Sequence, residues 1–489
     1  MGDKSQPTTS RQEPAGQRFA QWAATRMGTD GRSKRALRRA FPDHWSFMLW
    51  ETALYSFVVL VVTGVYLSFF FHPSAEPKVY HGSYGPLNGQ TVSDAFDSTM
   101  HISFEVRGGL LMRQAHHWAA LIFLAAVIAH LMRVFFTGAF RKPRELNWVL
   151  GFLLLVVGMV EGLTGYDLPG DLLSGTGLAV VNGTLLAVPV VGTYLSSFLF
   201  GGEFPGHALE ARFAVLHILV LPAVLTALVA AHLALRLRHR HTQWAGPGRT
   251  ERNVVGLPLR VYAVKSAGYF FLVAGVIFTM GAVAQINPVW EYGPYRPDQV
   301  SAGSQPDWYM GALDGLLRVM PGWEVTLWGH TLVLDTLVPL LAGVSLFLAL
   351  GAYPFIEARF TGDRREHHLL DRPRNRPVRT ALGTAWLSMY LLTLVAGAND
   401  LIATRFGVSV NAVTWVVRIG LFTVPPVVYT VTKRLALGLQ QRDRDMVLHG
   451  RETGVIVRLP NGGYRELHER LDQRRLDVLT AHQPPRPLP

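Results

Sequence analysis

The stretch RQAHHWAALIFLAAVIAHLMR, residues 113–133, carries His116 and His130 fourteen residues apart in an otherwise apolar run of helical length. On a helix, fourteen residues rise ~21 Å and fall within ~40° of whole turns, so both imidazoles project from one face at two depths. The stretch HILVLPAVLTALVAAH, residues 217–232, repeats the pattern with His217 and His232 fifteen apart. Pro222 lies between them, and a proline kink can absorb the extra residue. A histidine inside a membrane span is costly. Four of them in two matched pairs point to bound chemistry more than to polar residues satisfied between helices.

Two such helices side by side offer two stacked bis-histidine sites, an arrangement able to hold two haems, one toward each membrane face. The composition agrees with a membrane setting. Of 489 residues, 49% are hydrophobic and only 16% charged, too apolar for an ordinary soluble enzyme. Eight apolar runs approach the ~20 residues needed to cross a bilayer. They fall near 47–71, 115–136, 148–166, 213–236, 264–286, 331–356, 381–402 and 412–432. The expected fold is an all-α polytopic membrane protein of eight spans containing a haem-binding four-helix bundle. The first forty residues are polar and basic, with no apolar core of a signal peptide. The absence of cysteine excludes disulfides, thiolate-held clusters and covalently attached c-type haem, leaving histidine as the strong haem or soft-metal ligand.

Basic residues set the orientation. Arg32 to Arg39, Arg141-Lys142-Pro143-Arg144, the stretch 236–252, the segment 364–379 and the tail after Lys433 are all rich in arginine or lysine. With eight spans they share one side, which places both termini in the cytoplasm and the protein in the plasma membrane. The net charge of +12 then answers to topology and anionic lipid, and a nucleic-acid partner is not expected. The opposite side carries the long connections 72–112, 167–212 and 287–330. The second of these reads as a surface-lying amphipathic helix broken at Pro189. In the third, Gln305-Pro306-Asp307-Trp308-Tyr309 opens a further helix, with proline and an acid at its start.

Arg113-Gln-Ala-His116, His130-Leu-Met-Arg133, Gly165-Tyr166-Asp-Leu-Pro169, the second histidine pair and Pro306-Asp307-Trp308-Tyr309 occur together in one order. In that order and topology, from about Trp45 to Lys433, the chain resembles cytochrome b, the quinol-oxidising subunit of bc-type complexes. The segments FPDHWSFML, HHWAALIF, GAFRKPRE, DLLSGTG, GGEFPGH and AGSQPDWYM resemble the actinobacterial form. The resemblance implies that His116 and His217 ligate a b-type haem nearer the outside, and that His130 and His232 ligate a second nearer the cytoplasm. Arg113 and Arg133, each three residues from a ligand and so on its helix face, would pair with haem propionates. His117 points ~100° away from His116 and fits no pairing, so it reads as a packing or hydrogen-bonding residue. Asp307 stands where the family usually has glutamate. It would accept a proton from quinol at the outer face, with Tyr166 and Tyr309 beside it as hydrogen-bonding groups.

The family also places glycines against the porphyrins, here Gly64, Gly151 and Gly165; at the fourth such position stands Trp50, an indole competing with the inner haem for space. Near the cytoplasmic face, Lys265 is the first candidate for an inner quinone site, followed by His239, His241 and Glu51. Asp400 and Arg418 are expected to pair across the last helical hairpin. The organisation drawn from this reading is a tail over 1–40, the di-haem bundle over 41–250, a four-helix membrane domain with the Pro-Asp-Trp-Tyr loop over 251–437, and a cytoplasmic appendage over 438–489. In the appendage, GVIVRLPNGGYREL suggests a hairpin and RELHERLDQRRLDVL an amphipathic helix.

The implied function is oxidation of quinol, menaquinol by the actinobacterial likeness, with electrons crossing through two haems to a quinone at the cytoplasmic face and a proton gradient as the product. A Rieske-type iron–sulfur subunit and a cytochrome c subunit are the implied partners, with a terminal oxidase in a supercomplex, surrounding lipid and a second copy in a homodimer. The alternatives are a di-haem b anchor of another quinone-linked dehydrogenase, and a proton-coupled transporter using the histidines and Asp400 as a relay.

Overall fold

The computed structural model describes residues 39–206, 208–299 and 305–480. Most of the expected tail over 1–40 lies outside the described residues. Eight helices among them are long and apolar enough to cross a membrane. We label the helices in chain order: α1 Met48–Ser68, α2 Asp94–Phe104, α3 Gly109–Thr137, α4 Glu145–Asp167, α5 Leu172–Leu186 and α6 Gly192–Phe200. They continue with α7 Leu209–Arg238, α8 Leu259–Val283, α9 Trp308–Val319, α10 Leu334–Thr361, α11 Pro377–Gly397, α12 Asn399–Phe406, α13 Val410–His449 and α14 Gln473–Thr480. The spans are α1, α3, α4, α7, α8, α10, α11 and α13. Their outward surfaces are apolar, with Val62, Phe271, Leu272, Val416 and Phe422 exposed, as lipid contact requires.

The histidine-bearing helices α3 and α7 belong to one ring of four. Contacts run from α1 to α3, from α3 to α4 and from α4 to α7, and the start of α7 returns to α1. Phe57, Phe123, Leu124, Leu131, Trp148, Leu155 and Leu225 form the ring's buried core. Against it, α8 packs on α3 and α1, while α9, α11 and α13 form a second group.

Helix α7 absorbs its extra residue differently from the expectation. Residues Leu216–Val220 form a π-helical turn that contains His217, and Pro222 lies in the first turn of the α-helix that follows. A π-turn adds one residue to a helical turn. Fifteen residues in α7 thereby keep the phase that fourteen keep in α3, without a proline kink setting the register.

The basic segments interlock on one face. Ala40–Phe41 pairs antiparallel with Leu257–Pro258, and Gln243–Trp244 pairs parallel with Leu369–Leu370. Arg144 donates to the carbonyls of His367, His239 and Arg240 at 2.6, 3.0 and 3.2 Å. Asp371, 1% exposed, accepts from Arg141, Arg379 and Arg376 at 3.0, 2.9 and 3.1 Å. Asp443 on α13 accepts from Arg372 and Arg374. Buried charge is tolerated here because each carboxylate meets several guanidinium groups.

Two expectations need correction. Asp400 pairs with Arg318 of α9 at 3.1 Å and accepts from Gln305, whereas Arg418 donates to the Val319 carbonyl at 2.6 Å. Helix α9 inserts its own arginine beside the α11–α13 hairpin and takes the carboxylate that sequence adjacency had assigned to Arg418. In the tail, Arg451–Arg458 and Tyr464–Glu469 form the hairpin about Pro460-Asn461-Gly462-Gly463, but the helix begins only at Gln473. Residues 465–469 are held in the strand ladder instead. The last span runs unbroken through residue 438 to His449.

Candidate functional site

Both histidine pairs meet. His116 and His217 have ring centroids 6.1 Å apart at 76°, and His130 and His232 have centroids 6.5 Å apart at 76°. Two imidazoles holding one metal from opposite sides, each through a ring-nitrogen bond of ~2 Å, have centroids roughly 6 to 6.5 Å apart. Nδ1 of His116 lies 2.9 Å from the Thr63 hydroxyl, and Nδ1 of His217 lies 3.0 Å from the Glu161 carbonyl oxygen. Holding one ring nitrogen in this way orients the other toward a ligated group. In the inner pair, Nδ1 of His130 is buried without a hydrogen-bond partner among the described residues.

The glycines lie where small neighbours are required. A Cβ on Gly165 would stand 2.3 Å from the His217 ring, one on Gly64 3.1 Å from the His116 ring, and one on Gly151 3.6 Å from the His232 ring. Trp50 lines the inner cavity, with the Arg236 guanidinium 3.9 Å above its ring and its indole nitrogen buried without a partner. The inner cavity measures about 90 Å³ and the outer about 290 Å³. The indole lies beside the inner pair, as the sequence suggested, and is clamped there by arginine.

Each cavity also holds an arginine with spare N–H groups. Arg113 donates weakly to the Asn287 carbonyl at 3.3 and 3.4 Å and leaves Nε buried and unpartnered. Arg133 leaves Nε and Nη2 unpartnered, its guanidinium resting 4.4 Å from the Phe47 ring centre. Buried guanidinium N–H groups without acceptors call for an anionic group nearby. The donor set, the glycine gaps and these arginines together fit a haem in each cavity.

Asp307, at the start of α9, enters the outer cavity beside His116 and His217. Its carboxylate lies 3.0 Å from His117 Nε2 and accepts from the Tyr309 hydroxyl at 3.2 Å. Tyr309 is 2% exposed; burial, then the charge of Asp307, pushes its hydroxyl far above the usual phenol range, so it remains a donor. Gly162 makes room for that hydroxyl, since a Cβ there would stand 2.3 Å from it. Tyr166 lines the same cavity and donates to the Gln305 carbonyl at 3.4 Å. Sequence reasoning had left His117 without a named partner. The signal was available: a second span-buried histidine, turned ~100° from the first, also needs a polar partner.

The inner-face candidates are less unified. Lys265 forms a half-exposed ion pair with Asp43 and is not among the residues lining the inner cavity. Glu51 is buried and accepts from the Tyr262 hydroxyl. His239 and His241 line the cavity; burial lowers His241 to about 3, so it is neutral at physiological pH.

Residues 121–294 match the family model described as cytochrome b (N-terminal)/b6/petB. Over 481 residues the chain is 60% identical to the cytochrome bc1 complex cytochrome b subunit of Streptomyces coelicolor, covering 98% of this chain and 88% of that one. The subunit of the same name from Mycobacterium bovis is 53% identical over 449 residues, covering 91% and 82% of the two chains. That of Corynebacterium diphtheriae is 49% identical over 457 residues, covering 93% and 84%. A solved structure titled hyperthermophilic respiratory Complex III shares the fold at TM-score 0.61 and 21% identity, over 85% of this chain and 99% of that one. The chain belongs to the haem-binding cytochrome b family, among the b subunits of actinobacterial bc1 complexes, the quinol:cytochrome c oxidoreductases.

Proposed function

We propose that this chain oxidises quinol in the cavity shared by His116, His217 and Asp307, and returns electrons to a quinone at the basic, cytoplasmic face. The observation that carries the reading is the convergence, in one cavity of about 290 Å³, of a bis-histidine pair with the grouped side chains of His117, Asp307 and Tyr309. Oxidising a quinol releases two electrons and two protons. Asp307 is placed to take a proton from the quinol hydroxyl, and His117 and Tyr309 hold its carboxylate in position from two sides. The Tyr309 hydroxyl donates to the carboxylate and fixes its orientation in the cavity. Tyr166 flanks the same cavity and offers a hydrogen bond to substrate.

His116 with His217 and His130 with His232 would each hold one b-type haem, and Arg113 and Arg133 would pair with propionates. Haems so bound supply one-electron carriers at two membrane depths. Neither a cluster-binding cysteine nor a c-type attachment site exists in this chain, so a Rieske-type subunit and a cytochrome c subunit are the partners that accept the other electron. Menaquinol, which the sequence resemblance to the actinobacterial form implies, is the proposed substrate, and a homodimer associated with a terminal oxidase in a supercomplex is the proposed assembly. The basic face is assigned to the cytoplasm with both termini, and the bundle over 41–250 to the haems.

The test is the substitution Asp307→Asn in the purified complex. Loss of a positioned proton acceptor is expected to slow quinol oxidation about 100-fold or more, with the reduced-minus-oxidised haem spectrum unchanged. Unchanged turnover would remove Asp307 from the mechanism, and absence of b-type absorbance in the parent would remove the redox reading altogether.

A further inference from the structure

A second cavity lies on the same outer face, separated from the quinol cavity by the end of α4 and the turn that follows it. It measures about 650 Å³, with room for on the order of 20 water molecules, and is lined by Asp167, Ser174, Glu203, Glu210 and Arg296 among others. The dividing segment runs from Tyr166 to Asp171. Tyr166 and Asp171 line the quinol cavity, and Asp167 lines the second cavity. The wall is firmly tied. Gly170 donates to the Asp167 carbonyl at 3.2 Å, Leu172 donates to Gly293, and Tyr295 donates to Gly170.

Asp167 is 5% exposed, and among the described residues neither of its carboxylate oxygens has a hydrogen-bond partner. Asp171, four residues on, differs sharply: its oxygens accept from the Ser174 hydroxyl and from the amides of Leu173 and Ser174, so it caps α5. A buried carboxyl left wholly unsatisfied is rare in a native fold and calls for water or for a role in proton movement. Its neighbours Tyr166 and Asp171 line the cavity that Asp307 enters, which places it at the edge of that site.

We propose that Asp167 is the relay through which a proton released by quinol leaves the outer cavity for water in the second cavity. This rests on the reading that the outer cavity oxidises quinol. The step moves a proton only. The Asp167 carboxylate accepts a proton delivered from the Tyr166 and Asp307 side, releases it to cavity water, and returns to its charged form, with no electron gained or lost. Charge assists the uptake half of the cycle, since a proton on Asp167 relieves its repulsion with Asp171 and Asp307. Release is to the water of the second cavity, which Glu203 and Glu210 also line. Arg296 lines the same receiving cavity.

The experiment compares Asp167→Asn and Asp167→Glu in the purified complex, measuring quinol oxidation at saturating and limiting quinol with and without added formate. Asp167→Asn is expected to lower kcat about tenfold with KM little changed, formate to restore much of the loss by carrying the proton, and Asp167→Glu to retain most activity. Parental kcat in Asp167→Asn would overturn the relay, as would a loss that formate does not relieve and that Asp167→Glu shares. If the Asn variant fails to assemble, as its haem spectrum would show, Asp167→Ser takes its place in the same comparisons. Failure of the parent to oxidise quinol, or an unaffected Asp307→Asn, would instead sink the reading on which the relay rests.

Discussion

Adding one methyl group at each of the three glycines beside the histidines should separate their roles in proportion to distance. In Gly165→Ala the new Cβ would stand 2.3 Å from His217 Cε1 and 2.8 Å from its Nε2. Ordinary contact begins near 3.4 Å, so the ring must retreat by about 1.1 Å. Metal ligation tolerates displacements of only about 0.2 Å, so a shift of that size breaks coordination. The ring has little freedom to compensate, because its Nδ1 is held by the Glu161 carbonyl at 3.0 Å. In Gly64→Ala the contact is 3.1 Å from His116 Cε1, and the ring must yield by a few tenths of an ångström against its Thr63 hydrogen bond. In Gly151→Ala the contact is 3.6 Å, within ordinary range, and the helix gains roughly 0.5 to 1 kcal/mol from replacing glycine. Overpacking elsewhere typically costs about 1 to 3 kcal/mol. Haem content per chain and a spectroscopic redox titration, which resolves outer from inner haem, measure the outcome. The expected order of damage is Gly165, then Gly64, then Gly151. Gly165→Ala should lose the outer haem, and Gly151→Ala should retain both at parental potentials. Two intact haems in Gly165→Ala, or loss of the inner haem in Gly151→Ala, would refute the assignment of these gaps to the histidine pairs.

Other perturbations test the inner site and the basic face. Trp50→Gly should enlarge the inner cavity from about 90 Å³ and free Arg236 from the indole, shifting the inner haem potential while the outer one holds; equal shifts at both haems would contradict a local effect. Arg133→Gln should lower the inner potential and Arg113→Gln the outer, since removing a nearby cation favours the oxidised, more positive haem; redox titration would show crossed or absent effects if these arginines do not face the propionates. Asp371→Asn should destabilise the protein by ~3–5 kcal/mol, because Arg141, Arg379 and Arg376 lose their shared buried carboxylate, and thermal unfolding would reveal it. Burial alone would raise the Asp371 carboxyl, and the guanidinium groups of Arg141, Arg379 and Arg376 outweigh it, holding it below the usual carboxylate range. A depressed folded-state value means that this contribution is complete above the unfolded value near 3.9 and is lost only as pH falls further. Melting temperatures of the parent should therefore show no Asp371-dependent change between pH 5 and pH 8, and the difference between parent and Asp371→Asn should close in acid.

What the sequence discloses depends on whether a period or a partner carries the information. Helical period is local, so the spans and the shared faces of His116 with His130 and of Arg113 with His116 follow from spacing alone. The π-turn at Leu216–Val220 was hidden because the same fifteen-residue spacing suits either a kink or a widened turn, and only the packing of α7 on α4 chooses between them. Pairings across distant segments were hidden for a different reason. His117 finds Asp307 across 190 residues, and Asp400 finds Arg318, because α9 folds back between the second-group helices and brings charges that chain adjacency cannot rank. Asp167 was hidden most completely, lying within a motif already claimed for Tyr166. Two neighbours on a helix end point ~100° apart. One dipeptide therefore serves two cavities, the tyrosine lining the cavity of His116 and His217 and the aspartate the neighbouring one. The wall between the two cavities thus carries a carboxyl without a partner among the described residues, which is where the proposed relay has a departing proton cross.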